Sequence, residues 1–139
     1  MLYFIIALFF GSFLNVMIFR IPRGESLLFP PSHCPFCRHR LGGFDLIPVL
    51  SFLCLKGRCR YCKTRINPRY PLVELLTGLV TLLWSKTYHW NPPGIMMLLF
   101  IYLLLVIGLI DFEHKIIPNV LIFPALVISL FFRLGEGQI

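Results

Sequence analysis

The sequence predicts an all-α polytopic membrane protein, and three observations lead to that fold class. Hydrophobic residues make up 58% of the 139 residues, charged residues make up only 14%, and the mean hydropathy is +0.82. Long apolar segments alternate with polar ones along the chain, and one long polar stretch holds most of the basic residues. A water-soluble domain of this length carries more charge, so we expect about four hydrophobic helices and one polar insert.

The first apolar segment, residues 2–19, predicts a transmembrane helix with its N-terminus outside. Positive charge follows this segment at Arg20, whereas a secretory signal carries its charge before the apolar run and ends in a small-residue cleavage site. Gly11, Ser12 and Asn15 fall on neighbouring positions of the helix. Small and polar residues at that spacing predict a face for close packing against another helix.

The polar stretch, residues 20–70, predicts a cytoplasmic insert between the first and second helices. Ten of the 13 basic residues lie between Arg20 and Arg69, against two acidic residues, which gives a net charge of +8. Basic loops mark the cytoplasmic side of membrane proteins, and anionic lipid attracts them further. Nucleic-acid binding is the other reading of this charge. We expect membrane lipid as a partner and no nucleic acid.

Two short cysteine pairs in the insert predict a zinc site. Cys34 and Cys37 form one C-x2-C pair, Cys59 and Cys62 form another, and 21 residues separate the pairs. This is the spacing of a four-thiolate zinc site, in which ligands converge from two tight turns. Zinc would supply folding energy that so short an insert lacks. Two disulfides remain the alternative, although a reducing compartment disfavours them. The fifth cysteine, Cys54, is expected to be buried.

Three further apolar segments complete the predicted helices. The second helix is expected over about 71–88, the third over 94–111, and a fourth apolar run covers 120–132. The fourth run has 13 residues, fewer than the roughly 20 that span a bilayer. By alternation, residues 86–93 form a turn outside the cell and residues 112–119 form a polar linker on the cytoplasmic side.

Asp111 is the acidic residue that most strongly suggests chemistry. It closes the third apolar segment, where an ionisable group is costly and therefore indicates function, such as general acid/base catalysis. An ion pair with Lys115, one helical turn later, explains the same residue without any function. Glu74 is predicted to have a structural role near the start of the second helix, and Glu113 is expected to be solvated.

Four ordered segments resemble the type IV prepilin peptidase family. They are the double C-x2-C motif, counted as one, and the stretches GSFLNVMIFRIP at 11–22, NPRYPLVEL at 67–75 and DFEHKIIPN at 111–119. The resemblance implies a multi-pass aspartic peptidase of the bacterial inner membrane. Such an enzyme removes the leader from type IV prepilins and type II secretion pseudopilins at the cytoplasmic face. Members with a tetracysteine loop typically also N-methylate the new N-terminus, using S-adenosylmethionine.

The same resemblance assigns roles to particular residues. Asp111 matches the first catalytic aspartate of the family. The metal-binding cysteines of the family are matched in this sequence by Cys34, Cys37, Cys59 and Cys62. The second catalytic aspartate belongs to a G-x-G-D motif, which residues 1–139 do not contain; the Gly-Glu-Gly at 135–137 does not match it.

These expectations divide the chain into three regions. Residues 1–19 form the first transmembrane helix, residues 20–70 form the cytoplasmic zinc insert, and residues 71–139 form a membrane peptidase region truncated before the second aspartate. Two other functional readings stay open. The chain is either an inactive N-terminal fragment of such an enzyme or a membrane-anchored zinc module that binds a partner. The oligomeric state does not follow from the sequence.

Overall fold

Helices dominate the computed structural model, which describes residues 2–135. The helices are α1 (Leu2–Arg20), α2 (Leu50–Cys54), α3 (Arg69–Thr87), α4 (Pro92–His114) and α5 (Asn119–Gly135). Short 3-10 turns form at Ile21–Arg23 and Gly43–Leu46. No strand forms in this part of the chain beyond two isolated bridges. The mostly helical class is confirmed, and residues 136–139 of the predicted peptidase region lie outside the described residues.

Two helical stretches within residues 2–135 are long and apolar enough to cross a membrane. They are Leu2–Arg23, which includes α1, and Pro92–His114, which is α4. α5 is apolar but shorter, and α3 includes the charged residues Glu74 and Lys86. Large apolar side chains are nevertheless exposed along all four long helices, as on a surface that faces lipid. That all four helices span the membrane stays a prediction.

α1 and α3 pack closely and run antiparallel. A Cβ atom built on Gly11 of α1 would lie 2.7 Å from Glu74 Cα of α3. A Cβ on Gly78, one turn later in α3, would lie 2.7 Å from the ring of Phe4, nearer the start of α1. Small residues therefore let the two backbones approach each other. Gly11 and Asn15 are buried in this contact, as the sequence predicted.

The buried core connects α1, α3, α4 and α5. α4 contributes one continuous stripe of side chains, spaced at three to four residues as a helix face requires. The fully or nearly buried hydrophobic residues of this core are Leu14, Ile18, Val73, Trp84, Leu98, Tyr102, Val106, Ile110 and Leu121. The hydroxyls of Thr81 and Tyr102 also hydrogen-bond between α3 and α4, whereas the buried Trp84 Nε1 has no hydrogen-bond partner among the described residues.

The predicted boundary after the third helix was wrong by three residues. α4 continues through Asp111 to His114, because no residue in that stretch disfavours a helix. It ends at Lys115, which has a left-handed φ of 57° and whose N–H donates to the Asp111 carbonyl. Pro118 then disfavours a helical conformation for the residue before it, and α5 begins at Asn119.

Side-chain contacts distinguish the two ends of the helix bundle. At one end, the rings of Tyr3 and Trp90 stack with centroids 4.3 Å apart, which joins the start of α1 to the turn between α3 and α4. At the other end, the Arg69 guanidinium pairs with Glu113, which joins the start of α3 to the end of α4. The insert and Asp111 therefore lie at the same end of the bundle.

We expect Gly11→Ala to lower stability, because its Cβ would overlap backbone atoms of α3. Overpacking of this kind costs about 1–3 kcal/mol. Thermal unfolding in detergent, followed by circular dichroism, measures the effect. Gly108→Ala in α4 is the matched control, since nothing lies within 4 Å of its Cβ and an alanine there should not destabilise the helix. Equal melting temperatures for the Gly11→Ala variant and the parent would contradict the close contact.

Candidate functional site

The two cysteine pairs fold into two copies of the same turn. In the first copy, the N–H of Cys34 donates to the His39 carbonyl, and in the second the N–H of Cys59 donates to the Thr64 carbonyl. Arg38 and Lys63, four residues after the first cysteine of each pair, both adopt a left-handed φ, of 57° and 59°. This repeat is too short to be recognised in the sequence as an internal repeat. Its signal is a shared pattern, in which Cys-x-x-Cys is followed by one basic residue and then by Arg two positions later.

The four paired cysteines form a cluster that can hold a metal ion. Their sulfur atoms all lie within 4.8 Å of one another, and the sulfurs of Cys34 and Cys62 are 3.8 Å apart. Tetrahedral ligands at a zinc–sulfur distance of about 2.3 Å are roughly 3.8 Å apart, so this spacing fits a tetrahedral thiolate site. Cys34 and Cys59 are buried, whereas Cys37 is exposed. None of these thiols is in a disulfide.

Thiol acidity in the cluster is uneven. Hydrogen bonds from the Thr64 hydroxyl and backbone lower the pKa of Cys62 to about 6. A hydrogen bond from the His39 backbone favours the Cys37 thiolate as well, but desolvation and the neighbouring thiols outweigh it and raise its pKa to about 11. Four thiolates so close together repel one another, and a divalent cation is what lets all four ionise.

Contacts outside the cluster hold the two turns of the insert together. Arg60 Nε donates to Asp45 Oδ1 at 2.6 Å, and the rings of His39 and Tyr61 lie 3.6 Å apart at their centroids. Burial raises the pKa of the Asp45 carboxyl, but the hydrogen bonds from Arg60 and the Gly42 backbone lower it by more, so the net shift is downward. Asp45 therefore remains ionised at neutral pH as the partner of Arg60.

Two buried charged residues attach the insert to the helices. The Arg20 guanidinium, at the end of α1, donates to the carbonyls of Ser26 and Pro30 at 2.7 Å each. Glu74 of α3 accepts a hydrogen bond of 2.7 Å from the Val49 N–H. Val49 has a φ of 62°, which is unfavourable for a β-branched residue, so the Glu74 carboxylate stabilises a strained backbone conformation. The predicted structural role of Glu74 agrees with this contact.

A cavity of about 650 Å³ lies between the insert and the ends of α1 and α3. Ser12, Asn15 and Glu74 contribute polar groups to its wall from the helices. Cys34 and Cys59 line it from the metal cluster. The volume is in the range of small-molecule binding sites, about 300–1,000 Å³. Asp111 is not among the residues that line this cavity, so the chain carries two separate candidate sites.

Asp111 lies near the end of α4 and is exposed. The described residues therefore do not bury it, contrary to what its place in an apolar segment suggested. Lys115 was the alternative expectation, as an ion-pair partner of Asp111. The Lys115 Nζ instead lies 5.5 Å from the centre of the Phe112 ring. Within residues 2–134, no basic side chain lies in ion-pair range of Asp111. Glu113 is exposed, as expected, and it also pairs with Arg69, a contact that the sequence did not predict.

One further expectation about a cysteine was wrong. Cys54 is exposed at the end of α2, not buried. The apolar residues around it also face outward, with Leu50 59% and Leu53 63% exposed. α2 has only five residues, which is too short to cover its own apolar side chains.

Comparison with known proteins gives consistent matches along the chain. Residues 5–88 match the bacterial peptidase A24 N-terminal domain, and residues 98–139 match the type IV leader peptidase family. No solved structure gives a significant match.

Three relatives illustrate the similarity, all named prepilin leader peptidase/N-methyltransferase. The Myxococcus xanthus protein is 42% identical over 95% of this chain and 40% of its own length. The Klebsiella pneumoniae protein is 41% identical over 98% of this chain and 62% of its own length, and that of Pseudomonas aeruginosa is 34% identical over 91% and 51%. The chain thus spans between two fifths and about three fifths of each relative. It belongs to the type IV prepilin leader peptidase family.

Proposed function

We propose that this chain contributes one half of the active site of a membrane aspartic peptidase that removes leaders from type IV prepilins and pseudopilins. Its membership of the prepilin leader peptidase family supports the substrate class. The observation that carries the proposal is the Arg69–Glu113 ion pair. This pair keeps the end of α4, where Asp111 is exposed, at the same end of the bundle as the basic insert.

Asp111 is the proposed first catalytic carboxyl. Amide hydrolysis by carboxyl groups needs two of them, so that one can take a proton from water while the other donates a proton to the carbonyl. Asp111 is exposed and not engaged by any described basic group, so it is free to share a water with a second carboxyl. Glu113 is paired with Arg69, so the proposal assigns the second carboxyl to a G-x-G-D segment outside residues 1–139.

We expect Asp111→Asn to abolish cleavage, because the amide keeps the shape of the side chain and removes its titratable proton. The assay uses a chimera that joins residues 1–139 to the part of the Myxococcus xanthus relative beyond the match. Cleavage of a prepilin should fall by at least about 100-fold, as measured by mass spectrometry of the product. Residues 1–139 alone should not cleave.

Lys115→Gln is the matched control for this experiment, since it changes a charged side chain of the same segment that forms no ion pair with Asp111. The chimera with Lys115→Gln should retain cleavage close to that of the parent chimera. Cleavage at the parent rate by the Asp111→Asn chimera would contradict the proposal and leave Asp111 with a structural role.

The proposed metal of the four-cysteine cluster is zinc. The sulfur spacing of 3.8 Å fits tetrahedral Zn²⁺, and thiolate ligands suit zinc and iron among the available metals. The Thr64 hydroxyl lies 3.2 Å from Cys62 Sγ and would orient this ligand as a hydrogen-bonding neighbour. In this proposal zinc is structural, because four protein ligands leave no open position for a substrate.

We expect one zinc ion per purified chain, measured by elemental analysis. Cys59→Ser should reduce the zinc content far below one, because a neutral hydroxyl is a poor substitute for a thiolate ligand. Cys54→Ser is the control and should keep one zinc, since Cys54 is exposed and outside the cluster. Stoichiometric disulfides within the cluster, with no zinc, would overturn this assignment.

The proposed location is the bacterial inner membrane, crossed several times, with the N-terminus outside and the insert in the cytoplasm. The excess of basic residues in the insert supports this orientation. The contacts at the two ends of the bundle support this arrangement. The stacked rings of Tyr3 and Trp90 put the N-terminus and the 86–93 turn on one side, and the Arg69–Glu113 ion pair puts the insert and Asp111 on the other.

Thiol labelling in intact cells tests the orientation. Cys54 is exposed, so we expect an impermeant maleimide to label it only after the membrane is permeabilised. His89→Cys, placed in the turn on a Cys54→Ser background, should react from outside without permeabilisation. The Cys54→Ser protein alone measures any labelling of the cluster thiols. Labelling of Cys54 in intact cells would reverse the orientation.

The proposal includes N-methylation of the newly formed N-terminus. The relatives bear the name N-methyltransferase, and the tetracysteine insert is present in this chain. S-adenosylmethionine would supply an electrophilic methyl group on a positively charged sulfur.

A further inference from the structure

We propose that residues 46–55 of the insert re-enter the membrane, so that one side of α2 lies against lipid acyl chains beside α1 and α3. This stretch reads LIPVLSFLCL and contains no charged residue. The inference concerns a lipid-binding surface and not the peptidase site. It rests on the proposed crossing of the membrane by the helical bundle.

The first argument is the depth at which the insert contacts the helices. The Val49 N–H donates to Glu74 Oε2 at 2.7 Å. Glu74 lies opposite Gly11, because a Cβ on Gly11 would lie 2.7 Å from the Glu74 Cα. Gly11 is the central residue of the 19 in α1, so this contact is roughly 13 Å from either end of that helix. In a bundle that crosses a membrane, Val49 therefore lies at the depth of the acyl chains.

The chain on both sides of Val49 is long enough to reach this depth from the membrane surface. Asp45, the last charged residue before the stretch, precedes Val49 by four residues, which span about 13–14 Å when extended. Lys56, the first charged residue after it, follows Val49 by seven residues. Half of the hydrocarbon core is about 15 Å thick. Both charged residues can therefore remain at the headgroups while Val49 lies deeper.

The second argument is that the backbone of the stretch is paired without water. The N–H groups of Val49, Leu50, Ser51, Leu53 and Leu55 donate to Glu74, Pro48, Ile47, Val49 and Ser51, respectively. Irregular backbone is tolerated at membrane depth only where the protein satisfies its polar groups. The N–H of Val49 precedes the first turn of α2 and has no helical acceptor, so the Glu74 carboxylate takes the place that water has in a cytoplasmic loop.

The third argument is the division of α2 into two sides. The ring of Phe52 lines the cavity and would lie 3.0 Å from a Cβ on Gly57, so this side faces the protein. Leu50 and Leu53, one helical turn apart, are 59% and 63% exposed, and Cys54 beside them is exposed too. Acyl chains would remove these apolar side chains from water, as they do for a helix that lies in the membrane interface.

The charge that follows α2 fits the same orientation. Lys56 and Arg58 are exposed and form no ion pair within residues 2–134. Lipid phosphates and anionic headgroups attract basic side chains at the membrane surface. Positive charge next to an apolar face is thus complementary to a bilayer, whereas a protein partner would need carboxylates at that border. Cys54 precedes Lys56 by two residues, so we expect its thiol near the headgroups, where aqueous reagents still reach it.

Fluorescence quenching at single positions tests the inference. Residues 1–139 with Leu50→Cys on a Cys54→Ser background carry an environment-sensitive fluorophore in vesicles of phosphatidylethanolamine and phosphatidylglycerol. Nitroxide groups on the acyl chains quench from within the bilayer, and iodide quenches from water. We expect blue-shifted emission at position 50, with loss of emission to the lipid nitroxide and little loss to iodide. The Cys54→Ser protein alone measures any labelling of the cluster thiols.

Two positions calibrate the two quenchers. Leu104 is 49% exposed in the middle of α4, so Leu104→Cys should respond to the lipid nitroxide. Arg40 is exposed in the first cysteine turn, so Arg40→Cys should respond to iodide. Leu53→Cys repeats the measurement on the same side of α2, in case the label at position 50 disturbs the fold. One zinc per labelled chain reports that the insert is intact.

The outcomes separate this inference from the proposals on which it rests. Quenching of positions 50 and 53 by iodide, with position 104 quenched by lipid, would overturn the re-entrant segment alone. Protection of positions 50 and 53 from both quenchers would show that protein covers α2, which overturns the lipid contact. Quenching of position 104 by iodide would overturn the membrane crossing and this inference with it. Cleavage by the chimera depends on Asp111 and is measured independently of all three.

Discussion

The close antiparallel contact of α1 and α3 is the constraint on which the rest of the structure depends. Gly11 allows the α1 backbone to approach Glu74 of α3, and this approach brings the ends of both helices beneath the insert. Asn15 then donates to the Tyr70 carbonyl at 2.9 Å, which ties the end of α1 to the first turn of α3. The 48-residue segment between the two helices gains a fixed base because its two ends are held together at this contact.

The insert obtains its order from polar contacts and a metal-type cluster, since its hydrophobic side chains are largely exposed. Phe44 is 80% exposed and Leu53 is 63% exposed, so apolar burial contributes little to its stability. Arg20, Asp45 and Glu74 instead each pair with backbone or side-chain groups across the insert. Small domains with little core commonly depend on metal binding in this way, because the binding free energy becomes folding free energy.

The sequence predicted features that rest on local patterns and missed those that rest on tertiary contacts. The spacing of residues along the sequence predicted three features with which the structure agrees. These are the cluster of the paired cysteines, the apolar run that forms α4 and the packing role of Gly11. The burial of Cys54 was wrong and the Arg69–Glu113 ion pair was missed, because both depend on which distant residue lies nearby. The carboxylate–amide contact of Glu74 with Val49, 25 residues away, has no local signature at all. The left-handed backbone conformation of Val49 is also one that a β-branched residue disfavours, so the sequence alone does not indicate it.

The position of Cys34 and Cys59 in the cavity wall links the metal cluster to whatever occupies the cavity. Where a metal ion holds the four thiols, its loss would disturb one side of that chamber, while α4 and the exposed carboxylate at its end belong to the helical bundle and would remain. The two candidate sites would therefore respond differently to metal withdrawal.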